Sequence, residues 1–208
     1  MRPAHRTLVV LAPLLIAASG CSGLSKLDWP PFGRDSWQHP DDVVKALDVK
    51  SGSRVADLGA GKGYFVPHLA DAVGHEGRVY AVEVESESVD ELAERFRDRH
   101  EVVPTLGDFD DPKLPDGSID VVLIVNTYHH IENRPAYFQR LQQDLAPGGR
   151  IAVIEPDSDL RGVLAWTLDE GHTSSARDVV REMEEGGYLL VASHDFLPVQ
   201  IFEVFSPE

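Results

Sequence analysis

Hydrophobic runs of strand length recur along the chain from residue 53 to residue 205. We interpret them as β-strands at 53–58, 78–84, 102–106, 119–125, 150–154, 188–193 and 199–205. Between these runs, apolar residues stand three or four positions apart. This spacing predicts amphipathic helices, one opening at Pro40 and four more at 65–73, 86–99, 134–145 and 175–185. Strands that alternate with helices at this spacing predict an α/β fold with an open, doubly wound sheet.

Two of the predicted strand regions indicate how that sheet is arranged. The run Ile119–Val125 is apolar at nearly every position, as expected for a strand buried on both faces in the middle of a parallel sheet. The last two strands are joined by a link too short for a parallel crossover, so they should pair antiparallel. We therefore expect a Rossmann-like, seven-stranded, mostly parallel sheet with a C-terminal antiparallel pair. Ligands of such sheets bind at the carboxyl ends of the strands.

The first twenty residues have a different character from the rest. Arg2 and Arg6 precede a short apolar run from Leu8 to Ala18, which follows the plan of a secretory signal peptide. The run is shorter than the roughly 20 residues that a membrane-spanning helix needs. We therefore interpret residues 1–20 as a signal peptide. Residues 21–35, which lack apolar periodicity, are expected to form a flexible tether to a folded domain at 36–208.

The signal peptide ends in Ala18-Ser19-Gly20-Cys21, which resembles the lipobox of bacterial lipoproteins, with Ala18 where Leu is usual. The resemblance implies cleavage before Cys21, a lipid on that cysteine, and anchoring of the protein at the bacterial cell envelope. Two alternatives stay open. The segment is an ordinary signal peptide, or the start site is misassigned and the protein is cytoplasmic.

Composition narrows the range of functions. The formal net charge is −16, which argues against a nucleic-acid partner, because such proteins neutralise phosphates with clustered Lys and Arg. Cys21 is the one cysteine in the sequence, so an intrachain disulfide, a cysteine-based zinc site and a Cys-x-x-Cys redox centre are excluded. No metal site is predicted, because the histidines lack the close spacing of ligand pairs.

A glycine-rich loop follows the first predicted strand. It reads Asp57-Leu58-Gly59-Ala60-Gly61-Lys62-Gly63-Tyr64. Such a loop lets the backbone approach a ligand and presents free N–H groups. A dinucleotide-binding loop would have glycine where Tyr64 stands, and a P-loop would have Ser or Thr where Gly63 stands. Asp57 would repel a pyrophosphate, so it favours a ligand that carries positive charge.

The loop resembles the first motif of class I S-adenosylmethionine-dependent methyltransferases, D/E-x-G-x-G-x-G, and four further motifs follow it in the family's order. They are Glu83, Gly107-Asp108-Phe109, Asn126-Thr127-Tyr128-His129-His130 and Leu145-Ala146-Pro147-Gly148-Gly149-Arg150, each near a predicted strand end. A short segment with Trp37 and Gln38 is similar to one that covers the cofactor in small bacterial members. The match spans roughly residues 36–205.

The resemblance implies S-adenosylmethionine as cofactor and assigns its contacts. Asp57 would face the methionine amino group, Glu83 would bind both ribose hydroxyls, and Asp108 would accept from the adenine amino group. The full set of expected cofactor-binding residues is Trp37, Gln38, Asp57, Gly59, Ala60, Gly61, Gly63, Glu83, Asp108, Phe109 and Asn126. A purely structural role is the alternative for the three glycines and for Asp57, Glu83, Asp108 and Asn126. Phe109 either stacks on the adenine or simply packs.

Candidates for the chemistry lie after the fourth and fifth strands. His129 and His130 are the candidate catalytic residues, because histidine accepts a proton near neutral pH. The expected acceptor-facing residues are Tyr128, Glu155, Asp157 and His172.

The predicted function is transfer of a methyl group to a small-molecule acceptor by in-line displacement, with catalysis arising largely from alignment of the reactants. One alternative is a lipid-anchored cofactor- or ligand-binding protein on the same fold that has no catalytic activity. A nicotinamide-dependent oxidoreductase is less consistent with the glycine spacing. The sequence does not indicate an oligomeric state.

Overall fold

The computed structural model describes residues 33–158 and 174–208. The helices are α1 (Asp35–Gln38), α2 (Pro40–Ala46), α3 (Val66–Val73), α4 (Ser86–Arg95), α5 (Arg134–Leu141) and α6 (Ala176–Glu185), with a short 3-10 helix at Tyr128–His130. The strands are β1 (Arg54–Leu58), β2 (Arg78–Glu83), β3 (Val102–Leu106), β4 (Ile119–Val125), β5 (Leu145–Pro156), β6 (Tyr188–His194) and β7 (Gln200–Pro207). Among the described residues, no helix has the length and apolar character needed to cross a membrane.

The strands form one seven-stranded sheet in the order β3-β2-β1-β4-β5-β7-β6. β1 to β5 are parallel, and β7 runs antiparallel to both β5 and β6. The doubly wound α/β fold expected from the sequence is therefore confirmed. The chain order reverses between β1 and β4, so the carboxyl ends of these two strands flank the crevice where such sheets bind ligands.

The hydrophobic core lies on both faces of the sheet. On one face, Val121, Leu123 and Val125 of β4 pack with the cluster that α2, α3 and α4 cover. On the other face, Val122 and Ile124 pack with the cluster beneath α5 and α6. β4 is the central strand, which explains why its sequence is apolar at nearly every position.

The helix predicted for 134–145 is wrong in its last part, because α5 ends at Leu141 and Leu145 begins β5. Leu145 pairs with Ile119, and the register then shifts before Val121. Gly149 lies in this irregularity, where an added Cβ would stand 2.6 Å from the Ile119 carbonyl oxygen. Leu141 and Leu145 stand four positions apart, and this spacing also fits a continuous helix. Sequence periodicity therefore could not show where α5 ends and β5 begins. The predicted helix 86–99 also ends earlier, at Arg95.

The region expected to be a tether ends in structured residues. α1 begins at Asp35, and the Arg34 guanidinium lies 3.9 Å from the centroid of the Tyr64 ring. The Tyr64 hydroxyl donates a hydrogen bond to Asp35 at 2.5 Å. These two contacts hold α1 next to the glycine loop that follows β1.

Candidate active site

The glycine loop leaves β1 with left-handed backbone at Gly59, Gly61 and Gly63, whose φ angles are 75°, 56° and 73°. An added Cβ on Gly59 would lie 2.3 Å from Thr127 Oγ1, and one on Gly63 would lie 2.6 Å from the Phe96 ring. These two glycines are required by protein packing. An added Cβ on Gly61 would meet nothing within 4 Å, so this backbone faces open space, as a ligand-approaching loop requires.

Hydrogen bonds hold the loop onto the neighbouring strand. The N–H groups of Gly59 and of buried Ala60 both donate to the Val82 carbonyl, at 3.0 and 3.1 Å. Gly61 donates its N–H to Oε1 of Glu83, at the end of β2. Glu83 is partly exposed and contacts the Gly61 N–H, so its carboxylate is accessible to a ligand at the loop.

Asp57 is the buried carboxylate of the site, 3% exposed near the end of β1. Burial, with a smaller contribution from the nearby Glu83 carboxylate, raises the pKa of Asp57 to about 7. The Arg34 guanidinium opposes this rise by favouring the charged form. Two carboxylates close together in a partly dry environment attract positive charge, so the site electrostatically suits a cationic ligand.

A chain of side-chain amides links α1 to the end of β4. Arg34 Nε donates to Gln38 Oε1, and Gln38 Nε2 donates to Gln200 Oε1 at 3.3 Å. Gln200, at the start of β7, donates in turn to Asn126 Oδ1 at 2.8 Å. Asn126 has left-handed backbone, with φ at 54°. Gln38 and Asn126 were expected at the site and lie in this chain, whereas nothing in the sequence singled out Gln200 or Arg34.

The remaining residues expected to contact the cofactor are partly or largely exposed, and we call their positions the rim of the site. Trp37 is half-buried on α1. Asp108 follows β3 in a tight turn, and its exposed carboxylate lies 3.0 Å from Lys113 Nζ. Phe109 is 82% exposed, so its ring does not pack into the core and is available to a ligand.

A buried carboxylate organises the residues after β4. Glu155, fully buried near the end of β5, accepts a hydrogen bond from the Tyr128 backbone N–H through Oε1 at 2.7 Å. Its Oε2 lies 2.7 Å from His129 Nδ1. An ionised carboxylate only accepts hydrogen bonds, so this contact favours the form of the His129 ring that carries a proton on Nδ1. Glu155 was predicted to face the acceptor, and the structure makes it the partner of His129.

The side chain of Tyr128 points away from the glycine loop into a polar cluster. Its hydroxyl donates to Glu182 Oε2 at 2.8 Å, and burial raises the pKa of this phenol. Arg134 donates to both Glu182 oxygens, at 2.6 and 3.2 Å. Glu182 lies on α6 and Arg134 opens α5, so their ion pair joins the two helices. Neither was predicted, since their sequence positions lie within ordinary amphipathic helices.

A cleft of about 560 Å³ opens beside this cluster. It is lined by His129, His130, Ile131, Glu132, Asn133, Arg134, Pro135 and Glu182. The rings of His129 and His130 have centroids 4.1 Å apart. Both candidate catalytic histidines therefore face one space, at the same edge of the sheet as the glycine loop.

Of the three remaining predicted residues, the structure describes Asp157 alone. Asp157 follows β5, where it forms an isolated parallel bridge with Ser174. His172, expected to face the acceptor, and Cys21, expected to carry lipid, lie outside the described residues.

Comparisons with known proteins concern the fold. Residues 56–153 match the family model described as a methyltransferase domain. A crystal structure of a S-adenosylmethionine-dependent methyltransferase from Aquifex aeolicus superposes with a TM-score of 0.78 at 24% identity, covering 88% of this chain and 96% of that chain. The chain has the fold of an S-adenosylmethionine-dependent methyltransferase. The comparisons thus confirm the expected fold, and S-adenosylmethionine is the cofactor named for the superposed structure.

Curated relatives are similar over the same domain. The chain is 29% identical over 113 residues to a demethylmenaquinone methyltransferase from Staphylococcus saprophyticus, covering 54% of this chain and 48% of the relative. It is 34% identical over 142 residues to a protein-L-isoaspartate O-methyltransferase from Aeropyrum pernix, covering 66% and 52%. The chain thus spans about half the length of these relatives, and their names give different acceptors.

Proposed function

We propose that this protein is an enzyme that transfers a methyl group from S-adenosylmethionine to a small organic molecule. The observation that carries the proposal is the contact of buried Glu155 with His129, at the same strand edge as the glycine loop and Glu83. A candidate base and a candidate cofactor cradle at the same end of the strands support the proposal.

The residues present fit the cofactor. Gly61 offers an open backbone surface, Glu83 offers a carboxylate suited to a ribose diol, and the buried Asp57 gains from a neighbouring cation. Asp108 and Phe109 would lie beside the adenine on the rim, with Trp37 and Gln38 on the covering segment. When bound, S-adenosylmethionine supplies an electrophilic methyl group.

The chain's own contribution to the chemistry is positioning and proton removal. Glu155 fixes the His129 ring, which would accept a proton from a hydroxyl or amine of the acceptor molecule. A fixed base contributes by being aligned before the reaction, because no reorganisation is then needed. His130 shares the cleft and contributes to acceptor binding or proton removal there.

A small-molecule acceptor is supported by the cleft and by charge. A volume of about 560 Å³ has the size of a small-ligand site. The net charge of −16 disfavours a polyanionic acceptor such as RNA or DNA. The chain is also similar to a demethylmenaquinone methyltransferase, whose name gives a small-molecule acceptor.

The experiment is calorimetric titration of the purified protein with S-adenosylmethionine, followed by incubation of cell extracts with cofactor labelled in the methyl group. We expect saturable binding and label in the organic-soluble fraction. No binding at millimolar cofactor would overturn the proposal. Label in the protein or nucleic-acid fraction would overturn the small-molecule acceptor.

The N-terminal pattern favours a second candidate, a lipid-anchored binding protein on the same fold. S-adenosylmethionine is made in the cytosol, so an exported domain would have little of it. Lipidation of Cys21 at the cell envelope, and the alternative of a cytoplasmic protein, are tested by membrane fractionation of the wild type and Cys21→Ala. Cofactor binding without label transfer to any fraction would favour the binding protein.

A further inference from the structure

Two histidines distant in the sequence meet at the edge of the sheet opposite the candidate active site. His75 lies in the turn between α3 and β2, and His100 lies between α4 and β3. Both turns precede strands whose carboxyl ends carry Glu83 and Asp108. Because β2 and β3 are adjacent and parallel, the turns that lead into them are neighbours.

The two imidazole rings lie nearly parallel, with an interplanar angle of 4° and centroids 5.1 Å apart. Glu101 directs Oε2 toward this pair, 3.4 Å from His100 Nδ1. One donor atom from each of His75, His100 and Glu101 lies within 4.8 Å of the other two. The cluster thus brings two nitrogens and one carboxylate oxygen together.

Glu101 is held in place as the anchor of this cluster. It is 3% exposed, and its carbonyl accepts the Val79 N–H at 2.8 Å. Arg99 Nε donates to Oε1, the oxygen on the side away from the histidines. Arg99 also donates to Asp71 at 2.7 Å, so its positive charge is shared with a second carboxylate. A ligating carboxylate oriented by a neighbouring donor is the usual arrangement around protein-bound metals.

We infer that His75, His100 and Glu101 form a binding site for a first-row transition-metal ion such as Zn²⁺. Imidazole and carboxylate are ligands that zinc prefers, and two histidines with one glutamate make a known three-ligand set. Donors on one tetrahedral zinc lie about 3.3 Å apart, given bond lengths of about 2.0–2.1 Å. Both histidine side chains are exposed on turns, so their rotation closes the remaining gap.

The site would act on the fold and not on methyl transfer. It lies across the length of β2 from Glu83, about 20 Å away at about 3.3 Å per residue. A bound ion would tie the turn before β2 to the turn before β3. We therefore expect zinc to raise the thermal stability of the protein and to leave its affinity for S-adenosylmethionine unchanged.

The test uses the full chain carrying a purification tag without histidine. Zinc affinity is measured by competition with a chromophoric chelator, for the wild type, His75→Ala, His100→Ala and the double variant. We expect each single variant to bind zinc at least tenfold more weakly, and zinc to raise Tm in the wild type but not in the double variant. Circular dichroism without metal checks that each variant keeps the fold.

Matched controls separate this site from other histidines. His68→Ala removes a histidine of α3 outside the cluster, and Glu76→Gln removes an exposed acid next to His75. Both should bind zinc within twofold of the wild type. Unchanged zinc affinity in His75→Ala and His100→Ala would overturn the inference. So would loss of binding in His129→Ala alone, because the metal would then lie in the cleft.

Discussion

Glu155 Oε2 lies 2.7 Å from His129 Nδ1, while its other oxygen accepts the Tyr128 backbone N–H at 2.7 Å. One buried carboxylate thus holds both the backbone at the start of the 3-10 helix after β4 and the ring of its first histidine. A side chain that is fully buried and accepts two hydrogen bonds has little freedom to move. The geometry of the candidate base is therefore determined by β5, not by the segment that carries it.

Glu155→Gln should change the tautomer of His129. The amide oxygen of Gln keeps one acceptor for the Tyr128 N–H, but the charged acceptor at Nδ1 is lost. The amide NH2 of Gln would then face Nδ1 and donate to it, so nitrogen-15 NMR of the imidazole should show the Nδ1–H form in the wild type and the Nε2–H form in the variant. Methyl transfer should fall by about 10²-fold, the scale of a lost general base, with S-adenosylmethionine affinity within twofold. An unchanged tautomer would contradict this role of Glu155.

Gly59 and Gly61 should respond to alanine in opposite ways. In Gly59→Ala the new methyl would collide with Thr127 at 2.3 Å, so the variant should unfold or lose several degrees of Tm. In Gly61→Ala the methyl meets no protein atom within 4 Å, so only the left-handed backbone costs energy, about 1–2 kcal/mol. Gly61→Ala should therefore fold yet lose at least tenfold in cofactor affinity. Full cofactor affinity in folded Gly61→Ala would show that the ligand does not approach this backbone.

Removing the Glu83 carboxylate should weaken S-adenosylmethionine binding by about 10–100-fold, because each hydrogen bond to a charged group contributes about 1.5–3 kcal/mol. The matched control is Glu85→Ala, which removes an exposed carboxylate two positions further on and should leave affinity unchanged. Calorimetric titration measures both. Equal losses in the two variants would indicate a general effect of negative charge instead of a specific contact.

Asp57→Asn should stabilise the fold above neutral pH while weakening the site. The pKa of Asp57 is about 7 in the folded protein and 3.8 ordinarily, so the folded state holds the proton between these values. Wild-type stability therefore falls as pH rises from 4 to 7, and the asparagine variant escapes this loss. The gain at pH 8 is at most about 4 kcal/mol, since one pKa unit is about 1.4 kcal/mol. It should vanish near pH 4.

The control for this prediction is Asp144→Asn. Burial raises the pKa of Asp144 to about 6, and within the described residues its Oδ2 has no hydrogen-bond partner. This variant should also gain stability at pH 8, by a smaller amount. Asp144 precedes β5, at the end of the strands opposite the candidate site, so cofactor affinity should stay constant in Asp144→Asn. In Asp57→Asn it should fall at least tenfold. Urea denaturation at pH 4 and pH 8 and calorimetry measure both effects.

The sequence alone predicted the order of the strands and of the longer helices along the chain, and it predicted a site at the carboxyl ends of the parallel strands. β4 is apolar on both faces, and the chain's polar motifs stand at the ends of consecutive strands, so a parallel sheet necessarily brings Asp57, Glu83 and His129 to one edge. These signals are local, with a period of two or of 3.6 residues, which is why they can be read without knowing the fold.

Tertiary structure decided what the residues touch. Gln200 joins Gln38 to Asn126, Glu182 joins Tyr128 to Arg134, and His75 meets His100 only because β2 and β3 are adjacent. Pairing with Ile119 makes Leu145 the first residue of a strand, although its four-residue spacing from Leu141 would also fit a helix. Contacts between distant residues depend on how whole elements pack, and no short-range pattern in a single sequence records that packing.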